Sequence, residues 1–165
     1  MKIINFEIEM QDGKVMKGEL YPEIAPITVE NFVKLIEKRF YDGLIFHRVI
    51  PGFMIQGGGL DANMMPRDTA SIKGEFKSNG IDNNLLHTRG VLSMARTMVK
   101  DSASSQFFIM HEDAPHLDGD YAAFGKIVEG IEVVDDIAHV STNFQDCPIQ
   151  PVVIKTMRLL WDYLF

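Results

Sequence analysis

The stretch Phe46–Gly58, reading Phe-His-Arg-Val-Ile-Pro-Gly-Phe-Met-Ile-Gln-Gly-Gly, limits what this chain can become more than any other. Two short β-type runs, Leu44–Ile50 and Phe53–Gln56, flank a Pro51-Gly52 turn signal, which predicts a hairpin. Alternation along the second run puts Met54 and Gln56 on one face, with Phe53 and Ile55 on the other. A three-residue loop, Pro51–Phe53, sets Arg48 opposite Gln56 and Ile50 opposite Met54. A two-residue loop sets Arg48 opposite Ile55 instead. An ordinary Pro-Gly turn matches the strand twist poorly in a two-residue loop, which favours the longer one. The face then carries one guanidinium, one amide and adjacent apolar bulk, with no nucleophile and no carboxylate.

A length of 165 residues suits a single domain over residues 1–165, large enough to bury about two-thirds of its unfolded surface. With 46% hydrophobic and 24% charged residues the composition is that of a globular chain, not a disordered one. A formal net charge of -7 without any basic run argues against nucleic acid, since phosphate contacts need clustered Lys and Arg. A neutral, apolar or basic partner is expected. Cys147 is the only cysteine, which excludes an internal disulfide and a Cys-based zinc site. The N-terminus has neither the long apolar stretch nor the small-residue cleavage site of a signal peptide, and no run is long enough to span a bilayer. A cytoplasmic location without membrane attachment is expected.

Taken in order, Ile4–Met10 alternates apolar and polar residues, and after Asp12-Gly13 the run Val15–Leu20 can return as its antiparallel partner. Pro26 suits the first position of a helix, and Val29, Phe32, Val33 and Ile36 form one apolar stripe behind it. Gly57–Gly90 has little periodicity and predicts a long excursion, a length more often functional than not. Val91–Ala95, Gln106–Met110 and Phe124–Val128 suggest further strands. A short helix is expected over 131–138, then a last strand through Val152, Ile154, Met157 and Leu159. The apolar tail, residues 160–165, is expected to pack onto the body or to meet a partner. Many short strands, with two helices that do not alternate with them, predict an antiparallel sheet or closed barrel, closure being favoured because it removes exposed edges.

Four blocks carry a resemblance: Phe46–Gly58; Leu92-Ser93-Met94-Ala95; Ser105-Gln106-Phe107-Phe108-Ile109; and Leu117-Asp118-Gly119 with Phe124-Gly125-Lys126. In that order and at near-family spacing they resemble the cyclophilin family of peptidyl-prolyl isomerases, in its bacterial cytoplasmic form, from about Ile3 to Leu159. The resemblance implies a mainly β fold, a closed eight-stranded antiparallel barrel capped by two α-helices, with the substrate groove on its outer wall. It implies Arg48 as the catalytic guanidinium, Phe53, Met54, Phe108 and Leu117 as the proline pocket, and Gln56 and Gln106 as polar contacts. Ala95 and the backbone at Arg96 would line the peptide groove.

Two positions depart from the pattern of well-known eukaryotic members. His116 stands where they carry a Trp important for the macrocycle cyclosporin, so at most weak cyclosporin binding is expected. Tyr121 stands where they carry a His and keeps an aromatic wall with a polar tip, so turnover is expected to survive. The implied partners are proline-containing peptides and unfolded or exposed protein segments, handled by a monomer without cofactor. The competing reading is a proline-peptide binding module or holdase with little turnover. His111, Glu112, Asp113, His116, Asp118 and Asp120 could be argued as a metal cluster, but they lack helical His-x-x-x-His spacing, and no metal is expected.

Overall fold

Alternation of apolar and polar residues dominates this chain, and strands dominate its computed structural model, which describes residues 1–161. The elements are β1 (Ile4–Met10), β2 (Val15–Leu20), α1 (Pro26–Glu37), β3 (Leu44–Ile50), β4 (Met54–Asp61), β5 (Val91–Met94), β6 (Phe107–Met110), β7 (Ala123–Glu129), α2 (Ile131–Ala138) and β8 (Ile154–Leu160). All eight strands join one antiparallel sheet in the order β3-β4-β6-β5-β7-β2-β1-β8. The sheet curls into an open half-barrel. The expected closure is not a full ladder: the edges β3 and β8 meet through one bridge, Ile45 to Val153, and two backbone bonds, Gly43 N to Ile154 O (2.8 Å) and Phe46 N to Val152 O (3.0 Å). Pro148 and Pro151 just before β8 remove two ladder donors from the segment that faces this seam.

Inside the curl, Phe32 of α1 meets the rings of Phe6, Tyr41, Phe107 and Phe124 at centroid distances of 5.0–5.7 Å. These arrangements, edge-on except for the tilted Tyr41 pair, fill an irregular interior while matching ring quadrupoles. The stripe predicted for α1 holds at Val29, Phe32 and Ile36, but Leu35 is buried where Val33 is only partly so. No side chain of α1's own flank caps its first turn. The buried carboxylate of Glu75 does so instead, accepting from Thr28 N (2.6 Å) and Thr28 Oγ1 (2.7 Å).

Glu75 belongs to the predicted excursion, which begins later than expected because β4 continues through Gly57–Gly59 to Asp61. Those glycines read as a loop in sequence but serve close approach in a strand. A Cβ on Gly57 would stand 2.5 Å from Ile45 O, and one on Gly59 would stand 2.5 Å from the Gln106 side chain. The rest of the excursion is tied down by Arg67 Nη1 donating to Phe40 O and Asp42 O (2.8 Å each) and by Asn83 Nδ2 donating to Glu75 O and Ala123 O (2.9 Å each). No helix among the described residues is long and apolar enough to cross a membrane. Of the apolar tail, Leu160 ends β8 and Trp161 is exposed; residues 162–165 lie outside the described residues.

Candidate active site

Strand alternation gives the sheet β3-β4-β6-β5 two different faces. On the inner face Val49, Ile55, Ile109 and Leu92 form one cross-strand row, all fully buried. One residue out of phase, on the outer face, Arg48 lies opposite Gln56, Gln56 opposite Phe108, and Phe108 opposite Ser93. Ile50, Met54 and Met110 form the next outer row. A second apolar cluster, separate from the interior, gathers on this side around Met54, Phe108, Met110 and Leu117.

The pairing of Arg48 with Gln56 is the register of the three-residue loop. Phe53 N donates to Ile50 O (3.0 Å), closing a turn in which Gly52 has φ +81°, a left-handed conformation natural to glycine. Phe53 therefore belongs to the turn, and β4 starts at Met54. The expectation that Phe53 faces away from Met54 fails for that reason: alternation begins one residue later, and both side chains line the same hollow.

That hollow has a volume of about 160 Å³. Phe53, Met54, Phe108 and Leu117 supply its apolar walls; Arg48 and Gln56 border one side, and Ala95, Arg96 and Tyr121 the other. The Tyr121 ring meets Phe108 edge-on at 5.8 Å. Gln106, placed just before β6, lines an adjoining hollow of about 260 Å³ that shares Gln56, Ala95 and Arg96. His116 is exposed at the rim, its ring 5.6 Å from Phe53. A larger hollow of about 450 Å³ lies elsewhere, beside α2, and is flanked by the Lys14–Asp136 ion pair. Its charged groups are Asp12 and the mutually paired Lys14 and Asp136, and none of the residues of the resemblance blocks lines it, so volume alone misleads here.

Arg48 is exposed, and among the described residues no carboxylate lies within ion-pair distance of it. Its Nη1 donates to Gln56 Oε1 (3.4 Å), and Gln56 Nε2 donates to Gln106 Oε1 (3.0 Å). This relay aims the guanidinium without neutralising it. Burial, with the Arg48 charge beside it, pushes the pKa of His47 down, so the neighbouring imidazole stays uncharged near neutral pH. The Arg96 guanidinium is stacked between Phe76 and Tyr121, 4.7 Å from each ring centre, and donates to Asp120 O and Thr97 O.

Behind Phe108 lies a group with no local sequence signal. The buried His87 ring stacks on Phe108 at 6.0 Å and contacts Ser93 Oγ through Nε2 (2.8 Å) and Asp118 Oδ1 through Nδ1 (3.0 Å). Burial lowers its pKa, with Asp118 acting in the opposite sense. The residues argued as a metal cluster are thereby dispersed: Asp118 turns to His87, His116 to Phe53, and His111 to Asp135.

Over residues 5–159 the chain matches the family model of cyclophilin type peptidyl-prolyl cis-trans isomerases. It is 49% identical over 151 residues to a peptidyl-prolyl cis-trans isomerase of Acinetobacter baylyi, covering 86% of this chain and 78% of that one. A Schizosaccharomyces pombe peptidyl-prolyl cis-trans isomerase is 42% identical, with 94% of this chain and 99% of that one covered. Among solved structures, a cyclophilin type peptidyl-prolyl cis-trans isomerase of Cryptosporidium parvum superposes with a TM-score of 0.83 at 28% identity, covering 98% of this chain and 99% of that one. The same protein, solved in the presence of the dipeptide Ala-Pro, gives a TM-score of 0.81.

Proposed function

Because this chain belongs to the cyclophilin-type peptidyl-prolyl cis-trans isomerase family and is an isomerase, we propose that Arg48 drives rotation about X-Pro bonds held in the hollow beside it. The substrates are proline-containing peptides and unfolded or exposed protein segments. Ala-Pro, the dipeptide present with the Cryptosporidium parvum structure, supports that class. The chain works as a single domain and a monomer in the cytoplasm, without cofactor, and binds cyclosporin weakly for want of the Trp that His116 replaces.

An X-Pro amide rotates over a barrier of about 18–20 kcal/mol because resonance must be broken. Midway through rotation the prolyl nitrogen regains a lone pair that neither planar isomer offers. A donor aimed at that nitrogen binds the twisted form better than either end state, which is the condition for catalysis. Arg48 suits this role, since its guanidinium is charged at any working pH and presents a rigid fork of N–H groups. Phe53, Met54, Phe108 and Leu117 hold the pyrrolidine ring and exclude water, while Ala95 and the backbone at Arg96 hold the acyl side. Gln56 and Gln106 keep the guanidinium on target.

Raising a rate of roughly 0.01 s⁻¹ to about 10³ s⁻¹ takes ~7 kcal/mol of differential stabilisation. One hydrogen bond from a charged group supplies about 1.5–3 kcal/mol, so placement and desolvation supply the remainder. No proton moves and no covalent bond forms.

The observation that carries this reading is the Arg48 guanidinium, without an ion-pair partner among the described residues, beside an apolar ring-sized hollow and tethered through Gln56 at 3.4 Å. Magnetisation exchange between the isomers of a short X-Pro peptide tests it. Arg48→Ala and Arg48→Lys are expected to lose most turnover while peptide binding falls less; near-normal kcat in Arg48→Ala would overturn the assignment. The kcat of the wild type is expected to stay nearly flat from about pH 6 to 8, because the guanidinium does not titrate. A bell-shaped kcat profile would indicate acid–base chemistry instead.

A further inference from the structure

His111 follows β6 and takes no part in the wall of the hollow, yet it is buried with every polar group engaged. Its backbone N–H donates to Phe53 O (2.9 Å), and its carbonyl accepts from Arg89 Nη1 (2.9 Å). Gly52 N donates to ring Nδ1 (2.8 Å), and ring Nε2 lies 3.0 Å from Asp135 Oδ1 on α2. The Gly52 N–H can only donate, so Nδ1 is the bare nitrogen and the ring proton sits on Nε2, facing Asp135. Asp135 accepts from both terminal nitrogens of Arg89 (2.7 and 2.8 Å), which holds its carboxyl below the usual carboxylate range.

Gly52 and Phe53 belong to the turn that sets the Phe53 ring against the hollow. The bond internal to that turn, Phe53 N to Ile50 O, leaves the Gly52 N–H unused by the hairpin, and His111 is where it goes. Backbone on one side and ring on the other, a single residue thus grips the turn at two consecutive positions. We infer that His111 is a positioning residue for the proline pocket, its bare Nδ1 clamping the Pro51–Phe53 turn to α2 by way of Asp135 and Arg89. The inference rests on the proline-pocket reading above.

The charged and titratable groups around the ring are Asp135 of α2, His139 just beyond it (ring centroids 5.3 Å apart), Arg89 ahead of β5, and Glu112 and Asp113 in the same loop.

Asn and Gln separate the two ring nitrogens, because the Asn side-chain oxygen can replace Nδ1 and the Gln amide nitrogen can replace Nε2. Near neutral pH, His111→Gln is expected to raise KM for an X-Pro peptide about fivefold with little change in kcat, the effect of one ordinary hydrogen bond. His111→Asn is expected to restore a KM close to wild type. In unliganded protein the Gly52 amide proton resonance should shift in His111→Gln, which loses the acceptor, and stay near its wild-type position in His111→Asn. Equal KM in the two variants, or a Gly52 amide left unmoved by His111→Gln, overturns the inference. The Gly52 measurement involves no substrate, so it is decided separately from the role of Arg48.

Discussion

The two faces of β3-β4-β6-β5 share every backbone hydrogen bond and differ in almost everything else. Inward, Val49, Ile55, Ile109 and Leu92 make a dry apolar row with no polar atom to satisfy. Outward, Arg48, Gln56, Phe108 and Ser93 run from an exposed charge through an amide to an apolar wall and a buried hydroxyl. A slip of one residue would exchange the two rows, so the packing that fixes the interior also fixes which groups reach the site. On the proposed reading stability is concentrated on the inner face and chemistry on the outer, and each face is expected to tolerate perturbation with limited damage to its opposite.

Ile109→Ala should act through the inner row and have the largest effect, a loss of about 2–5 kcal/mol in urea unfolding, with kcat of the surviving folded protein close to wild type. A comparable loss of kcat would mean that the faces are coupled. Arg48→Ala should do the reverse, lowering kcat about 10- to 100-fold by removing a charged hydrogen bond of about 1.5–3 kcal/mol, with the unfolding midpoint hardly moved. Gly59→Ala should be milder. Its Cβ would meet the Gln106 side chain at 2.5 Å, Gln106 must swing away, and Gln56 loses its partner. We expect kcat to fall about fivefold, the effect of one ordinary hydrogen bond; an unchanged kcat would remove Gln106 from the relay.

The smallest effect concerns pH, and His87 behind the outer face shares it with His47 of β3, whose pKa burial also lowers. Burial holds the folded His87 below its ordinary pKa, so as pH falls through the histidine range the unfolded chain takes up a proton that the folded chain refuses. Stability should therefore rise with pH between the folded and unfolded values and level off above them. Urea unfolding over a series of pH values reads this directly, with the His87 ring resonances marking the folded midpoint. A ring that titrates at the ordinary histidine value would abolish the effect, and one above it would reverse the sign.

Much of this was legible because it is local. The Pro51-Gly52 signal and the twist argument for a three-residue loop lead to the Arg48–Gln56 register, and Pro26 and Gly130 bracket the helices where periodicity puts them. The sequence misleads where one residue type has two uses. Gly57–Gly59 reads as loop, yet glycine there lets β4 run against Ile45 and Gln106. Phe53 reads both as the start of the apolar run Phe53–Gln56 and as the end of the favoured Pro51–Phe53 loop, and the turn claims it. The rest was out of reach because it is distant in the chain: the contacts of His87 with Ser93 and Asp118, and of His111 with Asp135, join residues that carry no mark of one another. Curling of the sheet was readable from its many short strands, but the thin seam between β3 and β8 depends on prolines outside any strand.

The Glu75 carboxylate that accepts from Thr28 has a consequence for the order in which the chain assembles. A helix ordinarily brings its own first-turn acceptor from the residue just ahead of it, but α1 borrows one from 47 positions downstream. The growing polypeptide has no Glu75 acceptor for that first turn until the excursion has been made and has folded back over it. A cut between 62 and 74 would leave the two halves of this bond on separate fragments, and the N-terminal fragment alone should show amide exchange beginning at the start of α1.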